Sequence, residues 1–118
     1  MEPVLRPGAT IFCRKALRSI ARGALVVLTH PSSGLNLVKR VVGLPGESVA
    51  IEFGDVVIDG KPDLDRWGTA PTFPEGRWIL GHDQVFVLSD NRAATVDDSR
   101  RFGGVPTQNL LSVLWRIR

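Results

Sequence analysis

A mostly antiparallel β domain is the architecture this sequence predicts, on three observations. Short runs rich in Val, Ile and Leu recur along the chain, and in Ser48 to Phe53 the residues alternate with a period of two. Eight prolines and twelve glycines fall largely between those runs, where turns are needed. The 118 residues, 43% of them apolar, suffice for one domain, residues 1–118, with a modest core. A charged fraction of 23% is that of ordinary globular chains and argues against disorder.

The elements follow in order. "MEPVLRPG" reads as a loop or edge strand with a turn at Pro7-Gly8, and "TIFCR" as a strand over about Thr10 to Arg14. "ALRSIARG" suits a short helical turn stopped by Gly23. "ALVVLTH" is rich in strand formers and closes in the loop "PSSG". "LNLVKRVVG" is the next strand, and Pro45-Gly46 fits the centre of a type II turn. In "ESVAIEF", Ser48, Ala50 and Glu52 alternate with Val49, Ile51 and Phe53, the period-two pattern of a half-buried strand. Asp59-Gly60 signals a hairpin. Residues 61–81 turn irregular, with Trp67, Phe73 and Trp78 among prolines and glycines, and read as an insertion or flap. "QVFVLSDN" is a strand, "RAATVDDSRRFGGVP" a polar loop, and "SVLWRIR" a closing strand.

Composition narrows the function. The net charge of +3 and pI near 9.8 invite a nucleic-acid reading, but the basic residues are thinly spread. Their largest groups are Arg14-Lys15, Lys39-Arg40 and Arg100-Arg101, with no basic helix or aromatic binding motif around them. No nucleic acid is expected, and mild attraction to an anionic membrane surface is as easily defended. The single cysteine, Cys13, has no internal disulfide partner, and with two separated histidines it makes no zinc site. Neither metal nor cofactor is expected. No apolar run reaches transmembrane length and no signal peptide opens the chain, so no anchor is expected within it.

Two groups of residues carry chemistry. Lys39 interrupts an apolar strand, where Leu37, Lys39 and Val41 share one face and Val38, Arg40 and Val42 the other. Either its ammonium snorkels to water, or burial drives off the proton and makes a general base. The second group, "SDNRAATVDDSRRFGGVP", alternates the sign of its charges. It is either a solvated turn or a loop folded on itself by bidentate Arg–carboxylate pairs. Spacing alone leaves both questions open. His30 and His82 show no partner pattern and read as loop packing.

"VKRVVGLPGE" followed by "VFVLSDNRAATVDDSRRFGGVP" resembles two signature boxes of the bacterial type I signal peptidases, a Ser–Lys serine peptidase family. "MEPVLRPG" is similar to the rest of a third box, and "RGALVVLTHP" to the strand before the lysine box, where the family usually has Gly-Asp. The resemblance covers nearly the whole chain. It implies coiled antiparallel sheets, as in the self-cleaving repressors, and endopeptidase action on exported precursors after small residues at the outer face of a membrane. It makes Lys39 the general base and Asp90, Asn91, Arg92, Asp98, Ser99 and Arg100 the supporting loop. Arg40 would pair with that loop, and Met1, Leu5, Leu37 and Val38 would line the substrate groove.

The sequence departs from the family pattern at three points. The nucleophilic serine stands immediately before the box methionine, here Met1, so the 118 residues as written are expected not to cleave. An oxyanion-hole hydroxyl also lies upstream in the family. The charged loop is one residue longer than usual, leaving Thr95 as the nearest hydroxyl to take the place of a serine that bonds the lysine amine. Ser89 stands where the family has glycine, and Ser19, Ser32 and Ser33 offer no replacement nucleophile. Two rival functions remain, an inactive peptide-binding module and a repressor-type self-cleaving domain; the latter needs a DNA-binding segment that this sequence lacks.

Overall fold

The computed structural model describes residues 10–15, 20–62, 68 and 71–117. The strands are β1 (Thr10–Lys15), β2 (Leu25–Thr29), β3 (Asn36–Gly43), β4 (Ser48–Glu52), β5 (Asp55–Ile58), β6 (Lys61–Pro62), β7 (Gly76–Ile79), β8 (Gln84–Leu88), β9 (Val105–Pro106) and β10 (Leu111–Ile117). One helical turn, α1 (Ser99–Phe102), and a 3-10 turn at Thr107–Asn109 complete the description. The six-stranded sheet runs β1-β10-β2-β3-β8-β9 and the four-stranded sheet β6-β5-β4-β7, with every pairing antiparallel.

Period two along the central strands divides the core. Val41 of β3 with Val85 and Val87 of β8 joins Val26, Leu28, Val105 and Leu110 on one side. Val42, Phe86 and Leu88 point the other way and meet Val49, Val56 and Ile58 from the second sheet and Leu80, which follows β7. A central strand buried on both faces reads as a near-continuous apolar run, which is how "VFVL" appears in the sequence. Phe86 is fully buried and stacks at a tilt on Trp78 with ring centres 4.8 Å apart. Burying such a side chain contributes on the order of 2–3 kcal/mol. Gly43 marks the point where β3 shifts register against β8. A Cβ there would meet Val49 at 2.7 Å and Phe86 at 2.9 Å, so the close approach of the two layers excludes any side chain.

Several turns match their sequence signals. Gly46 has φ 81° and the Glu47 N–H donates to the Leu44 carbonyl, closing the Pro45-Gly46 turn. Asp59 and Gly60 take φ 50° and 79° between β5 and β6. Other readings need correction. Phe53 does not continue the alternation of β4; with φ 52° it turns the β4–β5 hairpin together with Gly54, φ 84°, and is 90% exposed. Within the irregular segment 61–81, Gly76–Ile79 forms β7 and pairs with β4. Gly23 has the expected positive φ, but residues 20–24 form a turn and not a helix, and residues 16–19 lie outside the described set. The polar loop contains α1, capped by the Asp98 side chain, and β9.

Candidate active site

The site lies where β3 runs past the end of β8. Arg40 pairs with Leu88 and Val41 with Val87, and the same register carried one step sets Ser89 opposite Lys39. Alternation then places Lys39 and Ser89 on the face of Val41 and Val87. The Lys39 amine donates to Ser89 Oγ at 2.7 Å, and Lys39 is only 6% exposed. Its stem does not deliver the amine to water. Burial holds its pKa below the ordinary lysine value of 10.5; Asp98 and Asp97 oppose that shift, and Arg100 adds to it.

Arg40 points away from Lys39, toward a different partner. Its Nε and Nη2 donate to the two oxygens of Asp90 at 3.2 and 2.8 Å, and its Nη1 to the Gly23 carbonyl at 2.8 Å. Asp90 is wholly buried. A second fork joins Arg100 to Asp98, Nε to Oδ1 at 2.9 Å and Nη2 to Oδ2 at 2.7 Å, with both side chains buried. Arg100 also reaches the carbonyls of Phe73, Arg92 and Thr95. Arg92 donates to the Ser89 carbonyl and, at 2.8 Å, to Thr72 Oγ1. Ser99 Oγ accepts from the Val87 N–H at 2.8 Å, fastening α1 to β8. The loop of alternating charge is therefore folded against β3 and on itself, with bidentate pairing of Asp90 by Arg40 and of Asp98 by Arg100. The pairing also matters for Lys39, because an unpaired carboxylate beside it would favour the ammonium.

The hydroxyl on the lysine amine is Ser89, not Thr95. Thr95 Oγ1 instead accepts from the Asp97 N–H at 3.0 Å within the loop. Asn91 Oδ1 accepts from the Ala94 N–H in its own turn. Leu37 and Val38 are half-buried on β3, Leu37 against the core. Met1 and Leu5 lie outside the described residues. His82 is exposed, whereas His30 bonds Asp97, a partner 67 positions away that no local pattern discloses. The signal for Ser89 was its parity with Val85 and Val87, readable only once β8 is paired with β3. Among the described residues no group of three or more His, Cys, Asp or Glu side chains is placed to hold a metal ion, and no helix is long and apolar enough to cross a membrane.

On its β2 side, Leu37, Val38 and Lys39 pair with Leu28, Val27 and Val26. On the other side the β8 ladder begins only at Arg40. Among the described residues, Asn36 to Lys39 thus present an open main-chain edge beside the buried amine.

The chain is similar to a probable signal peptidase I-2 from Synechocystis sp., 34% identical over 94% of this chain and 55% of that protein. It is also similar to a signal peptidase I from Leptolyngbya laminosa, 35% identical over 76% of this chain and 48% of that protein. The chain thus spans about half the length of these relatives. The crystal structure of a signal peptidase I from Enterococcus faecalis V583 superposes with a TM-score of 0.71, covering 84% of this chain and 99% of that one. At 24% identity this likeness speaks for the fold alone. The model of the family described as signal peptidase, peptidase S26, matches residues 1–114, and over that span this chain belongs to that family.

Proposed function

We propose that this domain supplies the general base of a Ser–Lys endopeptidase that removes signal peptides from exported precursors at a membrane surface. The observation that carries the reading is the buried Lys39 amine, 2.7 Å from Ser89 Oγ and beside the open edge of β3. A neutral amine that donates one N–H to Ser89 keeps its lone pair for a second hydroxyl. In the reaction a serine oxygen bonds to the scissile carbonyl carbon while its proton passes to Lys39 Nζ. That proton then goes to the leaving amine, and water, deprotonated by the same nitrogen, releases the acyl group. The precursor binds extended along Asn36 to Lys39, where main-chain pairing gives affinity and Leu37 and Val38 bound the side-chain space. Basic groups offer little to nucleic acid, because Lys39, Arg40 and Arg100 are buried.

The test joins a segment ending in Gly-x-Ser or Ser-x-Ser to Met1 and measures cleavage of a signal-peptide substrate. Turnover is expected in the serine-supplied chain and none in the 118-residue chain as written. Cleavage by the latter, lost when one of its own serines is changed, overturns the assignment. Peptide binding without cleavage by the serine-supplied chain favours a binding module instead.

Ser89→Ala should lower turnover of the serine-supplied chain by roughly 10²-fold, the scale of a misplaced reacting group. Its stability should fall by only about 1 kcal/mol, that of one hydrogen bond. Steady-state cleavage and urea unfolding check the two numbers. A turnover unchanged within twofold, a margin of about 0.4 kcal/mol, removes Ser89 from the site.

A further inference from the structure

His30 follows β2 and opens the turn that leads into β3. Its Nδ1 accepts from the backbone N–H groups of Ser32 at 3.0 Å and Ser33 at 3.2 Å. With Nδ1 used as an acceptor, the neutral ring carries its hydrogen on Nε2. That nitrogen lies 2.6 Å from Asp97 Oδ1, so it donates to the carboxylate. The ring also meets Phe102 of α1 edge-on, with centres 5.7 Å apart, and its side chain is only 11% exposed. This is not a catalytic triad, because both ring nitrogens are already engaged and Ser33 Oγ accepts from the Leu35 N–H. The ring is a clamp. It joins the turn before the open edge of β3 to the loop segment next to Asp98.

We propose that His30 is a positioning residue for Lys39: by holding the Asp97 carboxylate on its imidazole N–H it fixes the loop whose next residue, Asp98, accepts from the N–H of Ser89, the residue that bonds the lysine amine. The inference rests on reading Lys39 as the proton acceptor. The charged groups that bear on the amine are Asp98, Asp97 and Arg100. Asp98 is bound by both arms of Arg100 and by the Ser89 and Arg100 N–H groups, so its charge is held in place. Asp97 has no such fork; its side chain is 37% exposed and takes its hydrogen bond from His30. Losing the imidazole donor releases a carboxylate that favours protonated lysine. In the serine-supplied enzyme the same loss moves the acid limb of the pH profile upward.

The experiment follows the Lys39 amine by NMR titration in the 118-residue chain, which needs no peptidase activity. His30→Phe keeps a ring against Phe102 but removes the donor, and should move the Lys39 titration upward by roughly half a pH unit or more. His30→Gln restores an N–H donor and should return it toward the parent value. Should His30→Phe not fold, Asp97→Asn replaces it. It should move the titration downward, and adding His30→Gln to it should shift Lys39 no further. A Lys39 titration unmoved by His30→Phe, or by Asp97→Asn, overturns the clamp while leaving the general base standing. A parent Lys39 that titrates at or above 10.5 overturns the general base itself.

Discussion

Asp98→Ala should cost this domain about 3–5 kcal/mol, the scale of removing one partner from a buried ion pair. Asp98 is wholly buried and its two oxygens accept four hydrogen bonds. Three come from Arg100, through N, Nε and Nη2, and one from the Ser89 N–H at 3.0 Å. Alanine leaves the Arg100 guanidinium with its carbonyl partners but no counter-charge, and leaves the Ser89 N–H without its acceptor. It also removes the cap of α1, itself a contribution of about 1 kcal/mol. Urea unfolding of parent and variant measures the difference. A loss under about 0.5 kcal/mol is the signature of a solvated surface turn and contradicts the folded loop described above.

Lys39→Met should abolish most cleavage in the serine-supplied chain while leaving the fold intact or more stable at neutral pH. A general base contributes roughly 10²–10⁴-fold, and a thioether accepts no proton. The stability argument runs through proton linkage. Burial lowers the Lys39 pKa in the folded chain from its ordinary value of 10.5. Between the lowered value and 10.5 the unfolded chain binds more protons than the folded one, so stability climbs with pH across that window. Below the window the cost of burial is present in full, and above it the cost is gone. Methionine fills nearly the same volume without that cost, so the variant should gain at neutral pH and lose this part of the pH dependence. Unfolding free energies across the window test it. A parent whose stability is flat or falling there contradicts a buried, deprotonation-prone amine.

Much of the fold was legible because the relevant physics is local. Pro45-Gly46 and Asp59-Gly60 carry their turn geometry in two residues, and Val49 and Ile51 show their common face by spacing. Phe53 was misread because alternation alone does not say where a strand stops, and Gly54 supplied the turn. The strand Gly76–Ile79 was hidden because four residues with one half-buried tryptophan carry too little pattern, and pairing with Ser48–Ile51 decides it. The candidate site divides the same way. Lys39 stood out as a charge within an apolar run, and the charged loop by its alternating signs. Whether that loop was buried depended on contacts from Phe73 and Thr72, which no spacing rule reaches. Ser89 and His30 were missed for one reason: each meets its partner across 50 or more positions of chain, through strand register and loop packing.

The overhang of β3 beyond β8 bears on how this protein behaves in concentrated solution. Exposed strand edges are templates for stacking copies of the same chain, and soluble proteins guard them by shortness and by charges turned inward. Among the described residues the stretch without a partner on that side runs from Asn36 to Lys39, about 13 Å at the usual rise per residue. It ends at a lysine that sits inside the protein. So short a ledge offers a second copy few ladder bonds. An edge this short stays below the length that would seed aggregation.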